Sequence, residues 1–310
     1  MQPRATGLAL GFVLDRWLGD PRRLHPVAGF GTLAAALERS TWADDRAHGV
    51  VHCATLVGAA ALLGVAAERT ARRPAARTLA TAAATWVVLG GRSLEREAVA
   101  VARYLDAGDL AAAREQVTHL VGRDPSRLGP DDVARATVES VAENTSDAVV
   151  APLLAGAVAG VPGLLAYRAA NTLDAMVGHR SERYRRFGWA SARLDDLLNL
   201  VPARTSALLA AACAPLVGGR PSDAVRAWRR DAALHPSPNA GPVEAAFAGA
   251  LGRTLGGSNV YGGVAEDRGT LGDGPSPGVV DVRRATRLAA AVGAGATLVA
   301  VGVASLTSAR

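Results

Sequence analysis

Long uncharged stretches separate the polar regions of this chain. Three of these stretches have at least 20 residues and cover 47–67, 148–167 and 288–309. Each can cross a hydrocarbon core about 30 Å thick, which takes roughly 20 helical residues. Shorter apolar segments cover 5–19, 78–91 and 205–219. The pattern predicts an all-α, polytopic membrane protein with about 4–5 apolar segments and a single integral-membrane domain over 1–310. The alternative is a soluble, alanine-rich protein that buries these helices.

Three polar regions, 92–147, 168–204 and 220–284, lie between the apolar segments. In the first region, apolar residues recur at helical spacing and predict helices over 93–107 and 110–122. The third region is rich in Gly, Pro and Ser, and we predict that it is loop-like. Gly160-Val161-Pro162-Gly163 interrupts the apolar segment 148–167. The sequence leaves open whether this segment crosses once or is a broken, re-entrant helix.

Composition narrows the possible chemistry. Hydrophobic residues make up 49% of the chain, charged residues only 20%, and the net charge of +6 rests on arginine because the sequence has no lysine. A lysine Schiff base and a P-loop lysine are therefore excluded. The arginines are not interleaved with aromatic residues, so we expect no nucleic-acid partner. Two cysteines are too few for a disulfide framework or a zinc site.

Arginine also gives a partial topology. Short cytoplasmic loops of membrane proteins are rich in arginine. We therefore predict that two segments are cytoplasmic: the loop with Arg69, Arg72, Arg73 and Arg77, and the segment with Arg180, Arg183, Arg185 and Arg186.

The strongest local signal is a ladder of carboxylates at the entrance of an apolar segment. Glu139, Glu143 and Asp147 are four residues apart and would share one helical face, where like charges repel unless an arginine or a cation lies between them. A solvated helix face is the alternative. The tetrad Asn171-Thr172-Leu173-Asp174 resembles Asn144-Thr145-Ser146-Asp147, and the two flank the same apolar segment. Such oxygen ligands suit a hard cation that holds phosphate.

Two further polar clusters follow. Residues 178–204 combine Arg180, Arg183 and Arg204 with Asp195, Asp196 and Asn199, a mixture suited to anionic substrates. Flanking charges with surface ion pairs are the alternative. The proline-rich stretch His235-Pro236-Ser237-Pro238-Asn239 predicts a rigid loop, with Glu244 shortly after it. Residues 255–263 predict a glycine-rich loop, which is more often a turn than a phosphate site.

Together these strings resemble the adenosylcobinamide-phosphate synthase family of cobalamin biosynthesis. The resemblance runs from about residue 8 to 265 and rests on seven short motifs in the same order. They lie at Asp15–Val27, Glu139–Asp147, Tyr167–Asp174, Gly178–Tyr184, Arg193–Arg204, His235–Gly241 and Gly256–Gly263. One departure is Ala148, where the family pattern has glycine after the aspartate.

The resemblance implies an inner-membrane, multi-pass ligase with a cytoplasmic active site. Such enzymes use ATP and Mg²⁺ to join aminopropanol or its phosphate to a propionate of adenosylcobyric acid. The expected partners are this corrinoid, the amine, membrane lipid and other late enzymes of the pathway. We assign catalysis to Glu143, Asp147, Asp174 and Asp195, with the three aspartates as Mg²⁺ ligands. We assign substrate binding to His25, Asn144, Asn171, Arg180, Glu182, Arg183, Tyr184, Asp196, Asn199, Arg204, His235, Ser237, Asn239 and Tyr261.

Two other function classes remain as alternatives. A membrane prenyltransferase-like enzyme would bind Mg²⁺–diphosphate between aspartate-rich helices, which Asn171, Asp174, Asp195 and Asp196 resemble. A transporter or scaffold is the non-catalytic alternative. Transport would need polar residues near the middle of the membrane, and charged residues are absent from 148–167 and 288–309.

Overall fold

The computed structural model describes residues 2–20, 25–122, 124–179, 181–261 and 264–307, and nearly all regular elements in these ranges are helices. In chain order the elements are α1 (Pro3–Leu18), α2 (Pro26–Thr41), α3 (Arg46–Thr70), α4 (Pro74–Val88), α5 (Gly91–Asp106), α6 (Leu110–Val117), α7 (Pro130–Thr145), α8 (Ala151–Val177), α9 (Trp189–Cys213), α10 (Pro221–Asp231), α11 (Ala240–Leu251), β1 (Leu255–Tyr261), β2 (Val264–Leu271) and α12 (Val279–Thr307). Five helices begin with proline, which is preorganised for the first helical position.

Four helical stretches in the described part of the chain are long and apolar enough to cross a membrane. They are Arg46–Thr70, Pro130–Val177, Trp189–Val217 and Val279–Thr307. The stretches 47–67 and 148–167 lie within them, and the segments 205–219 and 288–309 lie within them to Val217 and Thr307, so the prediction of an all-α polytopic membrane protein is confirmed. The segments 5–19 and 78–91 belong to α1 and α4, which have only 16 and 15 residues.

The chain divides into two compact units. Unit 1 comprises 1–90, 151–199 and 297–310, and unit 2 comprises 91–150 and 200–296. In unit 1, α1 and α4 approach closely because small residues face each other. A Cβ on Gly7 would lie 2.5 Å from Thr81 Cβ, and one on Gly11 would lie 2.4 Å from Thr85 Cβ. This spacing is the small-residue pattern by which membrane helices pack. The prediction of one integral-membrane domain stays a prediction.

The helix α8 folds back on itself at Gly160. Gly160 has a φ of 65°, a conformation that favours glycine. A Cβ on Gly163 would lie 2.3 Å from the carbonyl oxygen of Ala155, although eight residues of straight helix would separate them by about 12 Å. The two arms, 151–159 and 161–177, therefore form a tight helical hairpin. The structure thus decides the question that the Gly160–Gly163 interruption left open, and α8 is not one straight span.

Two charged residues close this turn. The Arg4 guanidinium donates to the carbonyl oxygens of Ala157 and Val158 at 3.4 and 3.2 Å, at the end of the first arm. The Glu68 carboxylate accepts a 2.9 Å hydrogen bond from the Val161 amide, at the start of the second arm. Both helix ends at the turn thereby gain partners for backbone groups that the helix leaves unpaired.

The predicted topology needs a correction within unit 1. The second arm of α8 packs along α3, since a Cβ on Gly64 would lie 2.5 Å from Pro162 Cα. At the other end of α3, Arg46 lies over the Trp189 ring at 5.1 Å, and Arg186 donates to the Asp44 carbonyl at 3.4 Å. The loop after α3 and the segment 181–189 thus lie at opposite ends of a 25-residue helix about 37 Å long. If α3 spans the membrane, the prediction that both arginine-rich segments are cytoplasmic is wrong.

Unit 2 also corrects a prediction. The region 220–284, predicted to be loop-like, contains α10, α11 and the antiparallel hairpin of β1 and β2. Every residue of α11 is buried. Alanine and glycine dominate α11, and these small residues let the helix pack closely against its neighbours in unit 2. By contrast, the predicted helices over 93–107 and 110–122 are confirmed as α5 and α6, with α6 ending at Val117.

Candidate functional site

A buried carboxylate in unit 1 lies between two amide side chains. Asp195 accepts a hydrogen bond from Asn171 Nδ2 at 3.3 Å through one oxygen, and from Asn199 Nδ2 at 2.9 Å through the other. Asn199 in turn accepts from the Tyr167 hydroxyl at 2.8 Å, and Asn171 accepts from Arg168 at 3.3 Å. We call these five residues the Asp195 cluster. Its hydrogen bonds fix the orientation of the carboxylate before any ligand binds.

Helix geometry accounts for most of this cluster. Asp195 and Asn199 are four residues apart on α9, and Arg168 and Asn171 are three apart on the second arm of α8. Tyr167 and Asn199 are almost fully buried. The sequence predicted Asn171, Asp195 and Asn199 as site residues, and the structure brings all three together. Tyr167 and Arg168 lie in the motif but were not assigned a role.

The other predicted aspartates of unit 1 have different surroundings. A Cβ on Gly178 would lie only 1.8 Å from an Asp174 carboxylate oxygen, so glycine is needed where Asp174 folds over the end of α8. Asp196 pairs with the exposed Arg193 at 3.4 Å. Among the described residues, no three His, Cys, Asp or Glu side chains are grouped to hold a metal ion by themselves. The assignment of three aspartates as Mg²⁺ ligands therefore stays a prediction.

The segment that precedes α9 contacts a carboxylate of α2 that the sequence analysis missed. Glu38 on α2 accepts hydrogen bonds from Arg183 at 2.9 Å and from the Tyr184 hydroxyl at 3.0 Å. The Glu38 contact raises the pKa of the Arg183 guanidinium, which also lies 4.4 Å from the Trp42 ring centre. Glu182 is exposed. Arg183 and Tyr184 are therefore anchored to α2, a contact that no local sequence spacing could indicate.

Two predicted binding residues of unit 1 are His25 and Arg180. His25 caps α2, because its Nδ1 accepts a hydrogen bond from the Val27 amide at 3.1 Å. Arg180 lies outside the described residues, so its role stays a prediction.

Unit 2 contains a second buried polar cluster, centred on Glu244 of α11. Glu244 is completely buried. One of its oxygens lies 3.6 Å from His235 Nε2 and 4.0 Å from an Arg268 nitrogen. The Arg268 charge also acts on Glu143. We call Glu143, His235, Glu244 and Arg268 the Glu244 cluster; it balances two carboxylates against one guanidinium.

His235 is neutral in this setting. Burial and the nearby Arg268 charge lower the pKa of His235 to about 4. Its Nδ1 accepts a hydrogen bond from the Ser237 amide at 3.0 Å, so the proton of the neutral ring is assigned to Nε2, which faces Glu244. Ser237 holds the turn, since its hydroxyl accepts from the Asn239 and Ala240 amides. Arg204 donates to Asn239 at 3.0 Å, which links two further predicted residues.

The carboxylate ladder of α7 is partly neutralised. Glu139 accepts hydrogen bonds from Arg135 at 3.2 Å and from the Gly256 amide at 2.9 Å, and Arg135 also contacts the Gly256 carbonyl. Arginine, one of the two partners expected to relieve the repulsion, is thus present. Asn144 donates to the Ser140 carbonyl at 3.0 Å. Asp147 lies in a π-helical turn over Ser146–Val150, a feature frequent at functional sites.

Sequence reasoning assigned no role to Arg135 or Arg268, placed Glu139 only in the carboxylate ladder, and noted Glu244 only by its position after the proline-rich loop. Arg135 and Glu139 are four residues apart on α7, a spacing that could have indicated their pairing. Arg268 follows Glu244 by 24 residues and reaches it only through the β hairpin. Tyr261 ends β1, and its side chain lies outside the described residues. Gly262 and Gly263 lie entirely outside the described residues.

Comparison with known proteins gives one consistent result. A family model described as CobD/Cbib protein matches residues 8–289. A Mycobacterium tuberculosis relative, "Cobalamin biosynthesis protein CobD", is 56% identical over 97% of this chain and 96% of its own length. Relatives with the same description from Chromobacterium violaceum and Rhodobacter capsulatus are 46% and 41% identical, over 92% and 95% of this chain and 91% and 96% of their own. No solved structure matches the chain.

Proposed function

Because this chain belongs to the CobD/Cbib protein family and functions in cobalamin biosynthesis, we propose that it is an adenosylcobinamide-phosphate synthase. The reaction would form an amide between a propionate of adenosylcobyric acid and the amine of aminopropanol or its phosphate, with ATP as co-substrate. The single observation that carries this proposal is the buried, pre-oriented Asp195 carboxylate between Asn171 and Asn199. A fixed carboxylate of this kind suits a site that handles phosphate with a divalent cation.

The chemistry needs an activated carboxyl group. Transfer of the γ-phosphoryl group of ATP to the propionate oxygen gives an acyl phosphate and ADP. Attack of the amine on the acyl carbon then forms the C–N bond and releases phosphate, while the nitrogen loses one proton. We assign this proton to Glu143, which is half-buried and interacts with Arg268 and Glu139.

The remaining roles follow from the contacts. Asp174 and Asp195 would hold Mg²⁺, which when bound neutralises phosphate charge. Asn171 contacts both Asp195 and Arg168, so it would position the Asp195 carboxylate and keep one N–H to bind substrate. Arg183 and Arg204 are anchored by Glu38 and Asn239 and would bind anionic groups of the substrates.

We place the protein in the cell membrane with the Asp195 cluster toward the cytoplasm. Asp195 follows Trp189 by six residues, about 9 Å along α9, and Trp189 lies beside Arg46 at the start of α3. ATP is cytoplasmic, so the Arg46 end of α3 would face the cytoplasm. In cells, cysteines replacing Arg185 and Arg72 should then be labelled by a membrane-impermeant reagent from opposite sides, in a background that lacks Cys53 and Cys213.

The proposed reaction can be tested directly. Purified protein in detergent is incubated with adenosylcobyric acid, Mg·ATP and either aminopropanol or its phosphate, and mass spectrometry looks for the amide and for ADP. We expect product only when ATP is present. Absence of product with both amines would contradict the proposal. Conversion of an isoprenyl diphosphate without ATP would instead support the prenyltransferase-like alternative.

A further inference from the structure

A cavity of about 510 Å³ opens in unit 1 at the end of α3 where α8 turns. Arg4 of α1, Arg69 of α3 and Arg77 of α4 line it together with one carboxylate, Glu68. Three guanidinium groups against one carboxylate leave an excess of two positive charges. The cavity therefore favours an anion.

The four charged side chains differ in the hydrogen bonds that they already make. Arg4 and Glu68 hold the two ends of the turn at Gly160. Arg77 donates through Nε to the Ala71 carbonyl at 3.1 Å, and within the described residues its terminal nitrogens make no hydrogen bond. Within the described residues, Arg69 makes no hydrogen bond or ion pair, and it is exposed. Arg69 and Arg77 can thus donate to a bound anion without losing a structural contact.

The surroundings of the cavity are those of a membrane interface. Arg69 lies in the last turn of α3, a long apolar helix that is mostly not buried within the protein. Leu62 and Leu63 lie one to two turns earlier on α3 and are 70% and 65% exposed, and Leu79 on α4 is 67% exposed. Leu62 precedes Arg69 by seven residues and so lies on the same face of α3, where it is exposed to the hydrocarbon tails of a ligand whose anionic group occupies the cavity.

The cavity is separate from the Asp195 cluster. Glu68 contacts Val161, and Asn171 follows Val161 by ten residues, about 15 Å along the second arm of α8. The substrates of the proposed reaction are therefore not needed to explain these arginines.

We propose that this cavity binds the phosphate of an anionic phospholipid, with Arg69 and Arg77 as its main donors. Guanidinium groups match phosphate oxygens, and the exposed leucines match acyl chains. A lipid in this position would brace the helix ends of α1, α3 and α4 around the turn of α8.

The test uses the full-length protein in a neutral detergent, with phosphatidylglycerol added in steps. Binding is followed by native mass spectrometry and by the rise in unfolding temperature. Phosphatidylcholine serves as the zwitterionic lipid and glycerol 3-phosphate as the anion without tails. We expect phosphatidylglycerol to bind and stabilise the protein more than either of them does.

Arginine variants locate the binding. R69Q replaces a guanidinium that makes no hydrogen bond or ion pair with the described part of the chain, so the protein should fold, and its affinity for phosphatidylglycerol should fall about tenfold. R69Q/R77Q should lose the preference over phosphatidylcholine. R72Q is the matched control, since Arg72 follows Arg69 by three residues but lies outside the lining of the cavity, and it should bind like the wild type.

Three results would overturn the proposal. R72Q could weaken binding as much as R69Q, which would indicate general surface attraction. Glycerol 3-phosphate could stabilise as well as the lipid does, which would indicate a site for a free anion. Equal stabilisation by phosphatidylcholine would mean that the arginines do not select an anionic lipid.

Discussion

The two buried clusters hold their carboxylates in different ways. In the Asp195 cluster, amide nitrogens of Asn171 and Asn199 donate to the carboxylate at 3.3 and 2.9 Å. In the Glu244 cluster, a histidine and the Arg268 guanidinium face the carboxylate at 3.6 and 4.0 Å. Amide donors orient a carboxylate but leave its charge in place, whereas a guanidinium neutralises it. The first arrangement suits recruitment of a cation with phosphate, and the second keeps charges compatible with burial.

The clusters also differ in how far apart their members lie in the sequence. On each helix of the Asp195 cluster, neighbours are one to four residues apart, and the long-range contacts are the two hydrogen bonds that join α8 to α9. The Glu244 cluster joins α7, the loop before α11, α11 itself and β2. Loss of Asp195 should therefore affect catalysis most, and loss of Arg268 should affect stability most.

The largest effect is expected for Asp195→Asn. The new amide would place a second NH₂ group against the donors of Asn171 or Asn199 and would remove the charge. Amide synthesis should fall by about a thousandfold or more, while the fold persists. Steady-state product formation followed by mass spectrometry measures this. Asp223→Asn is the control, because Asp223 pairs with Arg226 on the surface of α10. Full activity of Asp195→Asn would end its assignment to the site.

Arg268→Met tests the charge balance of the second cluster. It leaves Glu244 and Glu143 without their shared guanidinium, which should lower the free energy of unfolding by about 3–5 kcal/mol. Thermal or chemical unfolding in detergent measures the loss. The double variant Arg268→Met/Glu244→Gln should recover part of it, and Arg226→Met on the surface should cost little. If the single variant is as stable as the wild type, the two carboxylates do not depend on Arg268.

His235 gives the Glu244 cluster a pH dependence. The folded protein keeps His235 neutral down to a pH of about 4, whereas the unfolded chain binds that proton near pH 6.5. Stability should therefore fall as the pH drops from about 6.5 to about 4, with Arg268 opposing protonation and Glu244 favouring it. His235→Gln should flatten this part of the curve. An unfolding temperature that is identical for both proteins across this range would contradict the assignment.

Tyr167→Phe should have the smallest effect. It removes one hydrogen bond to Asn199 and leaves the direct contacts of Asp195 intact. A single buried hydrogen bond contributes about 0.5–1.5 kcal/mol, so amide synthesis should fall by about tenfold or less. Tyr104→Phe is a suitable control because Tyr104 is exposed on α5. A loss as large as that of Asp195→Asn would mean that the hydroxyl contacts a substrate.

The sequence by itself determined the features that depend on local spacing. Uncharged stretches of about 20 residues specify membrane helices because lipid tolerates little charge. Spacings of three and four residues indicated which helical face carries Asn171, Asp195 and Asn199. Glycine and proline marked the interruption of the segment 148–167. Each of these signals arises within a few turns of one helix, where geometry is fixed by the backbone alone.

Only the tertiary structure decided the rest. The direction of the chain after Gly160 depends on a left-handed backbone conformation and on caps from Arg4 and Glu68, which are far away in sequence. The pairing of Glu244 with Arg268 and of Glu38 with Arg183 likewise depends on which elements pack together. These contacts are set by the free energy of burying whole helices and a hairpin, which no short pattern contains. The same packing put the two arginine-rich segments at opposite ends of α3, although their compositions look alike.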